Sequence, residues 1–314
     1  MARPLRIEYA GAFYHITSRG NERRDIFKSD SERMRFLSYL ESAVERYKAV
    51  IHAYCLMNNH YHLLLETPLG NLSEIMRHIN GAYTTYYNIK RQRAGHLFQG
   101  RYKAIIVDKD EYAGELSRYI HLNPIRAKIV NKPEEYKWSS YRSYIGLEVP
   151  PKWLKVDFIH SYLGGRKKSA QRKYRSFVDS LADRRYESPL KEVVASTILG
   201  GIDFVKEIKD KYLSKRIVAR DVPALAELKK ASIEEIKQAV EDIFRGDTNL
   251  ARKAVLYISH RYSGRKLTEI GKHFQIGESG VTKASGRFHE MLDKDRGIKK
   301  KVQHICRRLK LSNA

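Results

Sequence analysis

The chain has 314 residues, of which 42% are hydrophobic and 31% charged, a composition that supports a packed core and excludes wholesale disorder. No apolar run is long enough for a transmembrane helix, and the N-terminus lacks the pattern of a secretory signal, so we expect neither. The 60 Lys and Arg residues outnumber 36 Asp and Glu, which gives a net charge of +24. We therefore expect a polyanionic partner such as nucleic acid; a basic surface kept only for solubility is the alternative.

The two cysteines, Cys55 and Cys306, lie far apart and belong to no CxxC pair. This spacing predicts neither a zinc ribbon nor a disulfide framework. A reducing, cytoplasmic setting is therefore expected.

Strand and helix patterns alternate along the first half of the chain. Alternating apolar positions predict strands, and apolar positions three or four residues apart predict helices. The predicted elements are a strand at 12–18, a helix at 30–48, strands at 50–56 and 60–66, a helix at 71–90, a strand at 102–107 and a helix at 109–123. This order predicts an α+β fold in which helices cover a ferredoxin-like antiparallel sheet.

Strand patterns end near Tyr144, and the rest of the chain is predicted to be helical. Glu148-Val149-Pro150-Pro151 is typical of a linker. Ser232-Ile233-Glu234-Glu235 has the spacing of a capping box and predicts the start of a helix. We therefore predict an α+β domain at 1–145, a linker with a basic helical segment at 146–184, and an all-α domain at 185–314.

The predicted strand at 60–66 contains His60 and His62. Because side chains alternate across a strand, both imidazoles lie on one face, where they can ligate a single ion. A pair of His residues at this spacing also arises easily by chance, and two sheet-surface histidines are the alternative.

The helix at 109–123 strengthens the metal hypothesis. Tyr119 and Asn123 are four residues apart and project from one side of the helix. If that side faces the His strand, Asn123 completes a neutral His-His-Asn site beside Tyr119, which suits Mg²⁺ or Mn²⁺ with positions open for phosphate oxygens. Tyr112, seven residues before Tyr119, stays a rival for the role of nucleophile.

These groups predict phosphoryl transfer. A tyrosine hydroxyl is a poor nucleophile because its free pKa is about 10, and a metal ion that polarises the phosphate compensates for this. Attack on a DNA phosphate leaves a 5′-phosphotyrosine and a free 3′-hydroxyl. Because a hydroxyl can reverse the attack, the strand is rejoined without a nucleotide cofactor.

The residues resemble a known family over about 5–145. The matching stretches are Tyr14-His15-Ile16-Thr17-Ser18-Arg19-Gly20-Asn21, Asn58-Asn59-His60-Tyr61-His62-Leu63-Leu64, Gln99-Gly100-Arg101-Tyr102-Lys103, Arg118-Tyr119-Ile120-His121-Leu122-Asn123-Pro124 and Trp138-Ser139-Ser140-Tyr141. Together they are similar to the single-tyrosine HUH transposases, and more narrowly to the REP-associated tyrosine transposases.

That resemblance implies a HUH nuclease domain that cuts and rejoins single-stranded DNA with imperfect hairpins. It implies Tyr119 as the nucleophile and a divalent ion on His60, His62 and Asn123. The expected DNA contacts of this domain are Arg19, Asn21, Arg23, Arg24, Arg101 and Lys103. His121 departs from the Glu of many members but is expected to point away from the Tyr119–Asn123 side. His15 is expected to make a core or DNA contact and not to ligate.

The segment at about 266–292 is predicted to form a helix-turn-helix. The longer segment from Ser232 to Arg287 resembles the DNA-binding domain of DnaA-type replication initiators, and an ordinary helical hairpin is the alternative. Gly280 and Gly286 weaken the second helix. The expected DNA contacts of this helix are Thr282, Lys283, Ser285 and Arg287.

Three functions are compatible with the sequence. The favoured one is a transposase, an enzyme that transfers strands of hairpin-bearing single-stranded DNA and acts as a monomer. The second is a non-catalytic, domesticated DNA-binding regulator. The third is a plasmid relaxase or rolling-circle initiator, but these often carry a third histidine or a helicase region, and the chain has no GxxxxGK[ST] loop.

Overall fold

The computed structural model describes residues 6–164, 166–182, 188–194, 196–213, 231–263, 265–309 and residue 311. The chain divides into two compact units, residues 1–224 and 225–314. Within the described ranges, no helix is both long and apolar enough to cross a bilayer.

A five-stranded sheet forms the centre of the first unit. Its strands are β1 (Ala12–Arg19), β2 (Val50–Leu56), β3 (His60–Thr67), β4 (Lys103–Val107) and β5 (Ile198–Leu199), in the spatial order β2-β3-β1-β4-β5. β1 to β4 pair antiparallel, and their order is that of a ferredoxin-like fold, which confirms the predicted fold class. The sheet is mixed and not wholly antiparallel, because β5 pairs parallel to β4.

The prediction that strands end near Tyr144 is therefore wrong for β5. A strand of two residues is too short to show alternation, so no sequence pattern marks it. Its place is set by the open edge of β4, where backbone N–H groups need acceptors. Ile106 N donates to Thr197 O at 2.7 Å, and Asp108 N donates to Leu199 O at 2.8 Å.

Helices cover both faces of this sheet. Those of the first unit are α1 (Asp30–Tyr47), α2 (Leu72–Lys90), α3 (Lys109–His121), α4 (Asn123–Arg126), α5 (Tyr141–Tyr144), α6 (Asp157–Leu163), α7 (Lys167–Asp179) and α8 (Ile202–Ile208). Tyr61 of β3 points to the α1–α2 side, where its hydroxyl donates to Asn80 Oδ1 at 2.6 Å. α3 packs on β2 and β3 on the opposite face, which is the face of the two histidines.

The segment after residue 145 packs on the first unit. Lys155 N donates to Ile51 O at 2.9 Å, and His160 Nε2 lies 3.0 Å from Tyr144 O. α6 and α7 contact α3, so the compact unit extends past the boundaries predicted at residues 145 and 184. The difference arises because a polar, basic helix such as α7 can still bury a narrow apolar stripe, here Ala170, Tyr174 and Val178.

The described part of the second unit is helical. It contains α9 (Ile233–Ile243), α10 (Thr248–Tyr262), α11 (Leu267–Phe274), α12 (Glu278–Lys294) and α13 (Arg296–Arg308). The predicted capping box is confirmed, since Glu235 N donates to Ser232 Oγ at 3.0 Å. A short turn joins α11 to α12, and a Cβ at Gly271 would lie 2.5 Å from Ile276 O. Glycine is therefore required at this close approach.

Candidate active site

The candidate site begins with the two histidines of β3. Antiparallel pairing places His60 opposite Arg19 and His62 opposite Thr17 on β1. The alternation of the strand puts both rings on the α3 face, with their centres 5.0 Å apart. His62 is buried and His60 is half-buried, so the site opens toward solvent at the His60 end.

Tyr119 and Asn123 reach the same place from the end of α3. The Tyr119 ring centre lies 5.8 Å from that of His62. Asn123 Nδ2 donates to Tyr119 O at 2.8 Å, which leaves the side-chain oxygen Oδ1 as the atom available to a cation. α3 ends at His121 and Asn123 opens a new turn, because Pro124 disfavours continuation of the helix.

These side chains line one pocket of about 580 Å³. All four residues predicted for catalysis and metal binding, Tyr119, His60, His62 and Asn123, are among its lining residues. Its other polar lining residues are His15, Thr17, Ser18, Arg19, Gln99, Lys103 and Arg126. A pocket of this size accommodates a phosphate with its flanking sugars, and its rim carries positive charge.

The donor atoms fit a divalent ion. His60 Nδ1 lies 2.6 Å from Asn59 Oδ1, so its Nε2 is free to ligate. His62 Nδ1 lies 3.0 Å from His15 Nε2, while His62 Nε2 is buried and has no hydrogen-bond partner among the described residues. Asn123 lines the same pocket as both histidines, so its amide oxygen is the candidate for a third protein ligand.

The electrostatics keep these rings neutral at neutral pH. Burial, with a smaller contribution from Arg19, lowers the pKa of His60 to about 4. Burial, with a smaller contribution from Lys103, lowers the pKa of His15 to about 3. Burial and then His15, His60, Arg126 and Arg19 hold the pKa of His62 well below its usual range. Neutral imidazole is the form that ligates metal ions.

A tight loop follows β1 and borders the site. Asn59 Nδ2 donates to Arg23 O at 3.1 Å, which ties the loop to the residue next to His60. Glu22 and Arg23 have φ values of 53° and 60°, and a Cβ at Gly20 would lie 2.1 Å from Arg24 O. The loop therefore has a constrained shape and exposes the predicted DNA contacts Asn21, Arg23 and Arg24.

The remaining predicted contacts of this unit fall in two places. Arg19 and Lys103 are exposed and line the active-site pocket. Arg101 lines a separate groove of about 590 Å³ that also includes Arg6 and Arg77. The structure thus brings Arg19 and Lys103 to the candidate site and places Arg101 elsewhere.

Two neighbours of the nucleophile candidate are engaged outside the pocket. The Tyr112 hydroxyl donates to Glu192 Oε2 at 2.6 Å, and Tyr112 does not line the pocket. His121 is buried on the far side of α3, as expected. Its Nδ1 lies 2.7 Å from Tyr174 Oη and its Nε2 lies 2.7 Å from Ser140 Oγ.

The predicted contacts on α12 divide by burial. Thr282, Lys283 and Arg287 are exposed. Ser285 is 0% exposed, so its prediction as a DNA contact is wrong. It lies on the apolar stripe Val281, Ser285, Phe288 and Leu292, whose spacing of four, three and four residues faces the core.

Two residues of the site make contacts that the sequence does not predict. His15 is buried, as expected of a core contact, and it also touches His62. The guanidinium carbon of Arg126 lies 4.9 Å from the Tyr119 ring centre. Arg126 follows Tyr119 by seven residues but lies on the next helix, so helical spacing alone does not predict this contact.

A family model matches part of the first unit. Residues 9–123 match the family model of the IS200-like transposases. None of the curated proteins matches the chain. Among solved structures, the chain is similar to a REP-associated tyrosine transposase bound to a REP hairpin, at 14% identity and a TM-score of 0.41, over 49% of this chain and 92% of that chain.

Proposed function

We propose that the protein is a metal-dependent transposase that cleaves and rejoins single-stranded, hairpin-bearing DNA through Tyr119, in keeping with the match of residues 9–123 to the family model of the IS200-like transposases. One observation carries this proposal. His60 and His62 of β3, Tyr119 of α3 and Asn123 of α4 line one pocket with a basic rim. Neither a chance pair of histidines nor a buried tyrosine accounts for that convergence.

The reaction is a transesterification. The Tyr119 oxygen attacks the scissile phosphorus and loses its proton, a new O–P bond forms, and the bond from phosphorus to the 3′-oxygen breaks. The 3′-oxygen takes up a proton, which leaves a free 3′-hydroxyl and a 5′-phosphotyrosine. Attack by a 3′-hydroxyl reverses these steps, so bond energy is kept and no nucleotide cofactor is consumed.

His60, His62 and Asn123 would hold Mg²⁺ or Mn²⁺. When bound, such an ion polarises the phosphate and neutralises its developing charge. Arg19 and Lys103 line the same pocket and supply cationic partners for the phosphates that flank the cleaved bond. Arg126 keeps a positive charge over the Tyr119 ring.

We propose that the loop at 20–24 recognises the nucleotides beside the hairpin. It combines exposed Asn21, Arg23 and Arg24 with a backbone shape held by Asn59, the residue next to His60. A rigid polar loop that borders the catalytic pocket suits recognition of unpaired bases close to the cleavage point. Arg101, in its separate groove, would contact a more distant part of the DNA.

We further propose that α11 and α12 form a DnaA-type helix-turn-helix. Thr282, Lys283 and Arg287 are exposed on α12, where a groove-reading helix presents its polar contacts. We propose a monomer for the catalytic step, because Tyr119 meets His60, His62 and Asn123 of its own chain in a single pocket.

Adduct formation tests the enzyme proposal. Labelled single-stranded hairpin DNA is incubated with Mn²⁺ or Mg²⁺, and a denaturation-resistant protein–DNA adduct is sought. We expect the adduct with the wild type and none with Tyr119→Phe. Tyr112→Phe is the matched control and should still form it, because Tyr112 is bound to Glu192 outside the pocket.

Two outcomes would contradict the proposal. An adduct formed by Tyr119→Phe but lost in Tyr112→Phe would move the nucleophile to Tyr112. If the wild type binds hairpin DNA yet forms no adduct on a broad panel of sequences, the protein is a DNA-binding regulator and not a strand transferase.

A further inference from the structure

His15 and His62 form a direct pair inside the candidate site. His15 Nε2 lies 3.0 Å from His62 Nδ1. The planes of the two rings differ by 9° and their centres are 5.2 Å apart. The ring planes are nearly parallel, and the distance between the centres is close to the nitrogen–nitrogen distance plus two ring radii of about 1.1 Å, so the rings meet edge to edge with these two nitrogens pointing at each other.

The pair is shielded from water. His15 is 1% exposed and His62 is 6% exposed. The pairing of β1 with β3 holds the two backbones in register, with Ile16 opposite Leu63 and Thr17 opposite His62. Because both rings are buried, solvent does not compete for either of the facing nitrogens.

One proton can lie between these two nitrogens. The ring that carries this proton determines whether His62 can bind a cation. If His62 Nδ1 carries the proton and donates to His15 Nε2, the lone pair of His62 Nε2 is free. If His15 Nε2 carries it, the neutral His62 ring holds its own proton on Nε2, and that nitrogen cannot bind a cation. His62 can therefore bind an ion in the first arrangement and cannot bind one in the second.

We propose that His15 is a positioning residue that accepts the Nδ1 proton of His62 and thereby presents His62 Nε2 to the divalent ion. The inference rests on the proposed metal-dependent function and adds a residue to it. Both outer nitrogens of the pair, His62 Nε2 and His15 Nδ1, are buried without a partner among the described residues, and an ion on His62 Nε2 would give one of them a partner. A hydrogen bond at the second nitrogen is what orients metal-bound histidines in general.

Asn59 makes the corresponding hydrogen bond to His60. Its Nδ1 lies 2.6 Å from Asn59 Oδ1, an acceptor that selects the tautomer with a free Nε2. Each candidate ligand histidine thus has its Nδ1 engaged and its Nε2 available. His15 thus orients the buried ligand His62, as Asn59 orients the half-buried ligand His60.

Calorimetric titration of the full chain with Mn²⁺, without DNA, tests the role of His15. His15→Leu removes the acceptor and should weaken Mn²⁺ binding by about 10- to 100-fold. His15→Gln offers a side-chain oxygen to His62 Nδ1 and should recover most of the affinity. His52→Leu is the matched control, a buried histidine of the same sheet that pairs with Glu66 away from the pocket, and should leave the affinity unchanged.

Nitrogen-15 NMR of the histidine rings gives a readout independent of affinity. In the Mg²⁺-bound protein we expect protons on His62 Nδ1 and His15 Nδ1, and none on His15 Nε2. A proton on His15 Nε2 overturns the proposal, as does a His15→Leu variant that folds and binds Mn²⁺ like the wild type.

Failure of the metal proposal is distinguishable from failure of this inference. If the wild type binds neither ion, the metal part of the proposed function is wrong. The metal-free NMR spectrum then decides the inference: a proton on His62 Nδ1 supports it, and a proton on His15 Nε2 refutes it.

Discussion

The guanidinium carbon of Arg126 lies 4.9 Å from the ring centre of Tyr119. Arg126 closes the short helix α4, which starts where Pro124 ends the helix that carries Tyr119. The turn that follows the break therefore sets a cation over the Tyr119 ring. This cation also contributes to the low pKa of His62, so it acts on both sides of the pocket.

Arg126→Gln should slow adduct formation. A cation near an aromatic ring contributes about 0.5–2 kcal/mol, so loss of its stabilisation of the developing charge predicts a rate about 2- to 30-fold lower. Single-turnover adduct formation at saturating DNA measures this, and Arg126→Lys, which keeps the charge, should recover part of the rate. An unchanged rate with a weaker DNA affinity would instead make Arg126 a DNA contact.

The stability of the first unit should fall in acid partly because of His121. Burial lowers the pKa of His121 to about 3, whereas an unfolded His has a pKa near 6.5. Below about pH 6.5 His121 binds a proton in the unfolded chain but stays neutral in the folded chain. The free energy of unfolding therefore decreases as pH falls toward 3. The contribution of one such histidine is about 1.4 kcal/mol per pH unit.

His121→Gln isolates this contribution. Urea unfolding at pH 7, 6 and 5, followed by tryptophan fluorescence, reports on the first unit because Trp138 and Trp153 both belong to it. The variant should be less stable at pH 7, since it disturbs the bonds to Tyr174 and Ser140, and its deficit should shrink as pH falls. A deficit that is constant with pH would contradict the buried, neutral state of His121.

Gly20→Ala should distort the loop that borders the active site. The added Cβ would lie 2.1 Å from Arg24 O and 2.9 Å from Ile26 Cγ2, so the backbone of the loop must move. We expect weaker binding of hairpin DNA that carries its flanking single strand, and a smaller change for the hairpin alone, measured by fluorescence anisotropy. Gly114→Ala on α3 is the control, because a Cβ there meets nothing within 4 Å and Gly114 lines neither the active-site pocket nor the groove of Arg101.

Two neighbours on α12 should respond in opposite ways to alanine. Lys283→Ala should weaken binding to duplex DNA and reduce the slope of log affinity against log salt by about 0.9, the loss of one phosphate contact. Ser285→Ala should leave binding unchanged, because Ser285 is buried.

Ser285→Ala should also change the stability of the second unit. Ser285 Oγ has no hydrogen-bond partner among the described residues, so its removal should stabilise the second unit by about 1 kcal/mol. Slower amide hydrogen exchange in Glu278–Lys294 would show this. Weaker DNA binding by Ser285→Ala at unchanged stability would mean that the helix turns its other face to DNA.

Much of the first unit is predictable from sequence because its information is local. The alternation at 60–66 places His60 and His62 on one face, and the four-residue spacing of Tyr119 and Asn123 places them on one side of a helix. Predicted and observed bounds of the elements from Ala12 to His121 agree within about two residues at each end. The β2-β3-β1-β4 order follows from the succession of strands and helices.

Features that depend on contacts between distant residues could be seen only in the tertiary structure. The contact of His15 with His62 spans 47 residues and depends on the register of β1 against β3, which no local pattern encodes. The packing of α6 and α7 on α3, and the pairing of β5 with the open edge of β4, likewise depend on surfaces that exist only after folding. The sequence by itself therefore determined which groups are available for chemistry. The fold decided their partners, because burial and hydrogen bonding are properties of residues brought together from distant parts of the chain.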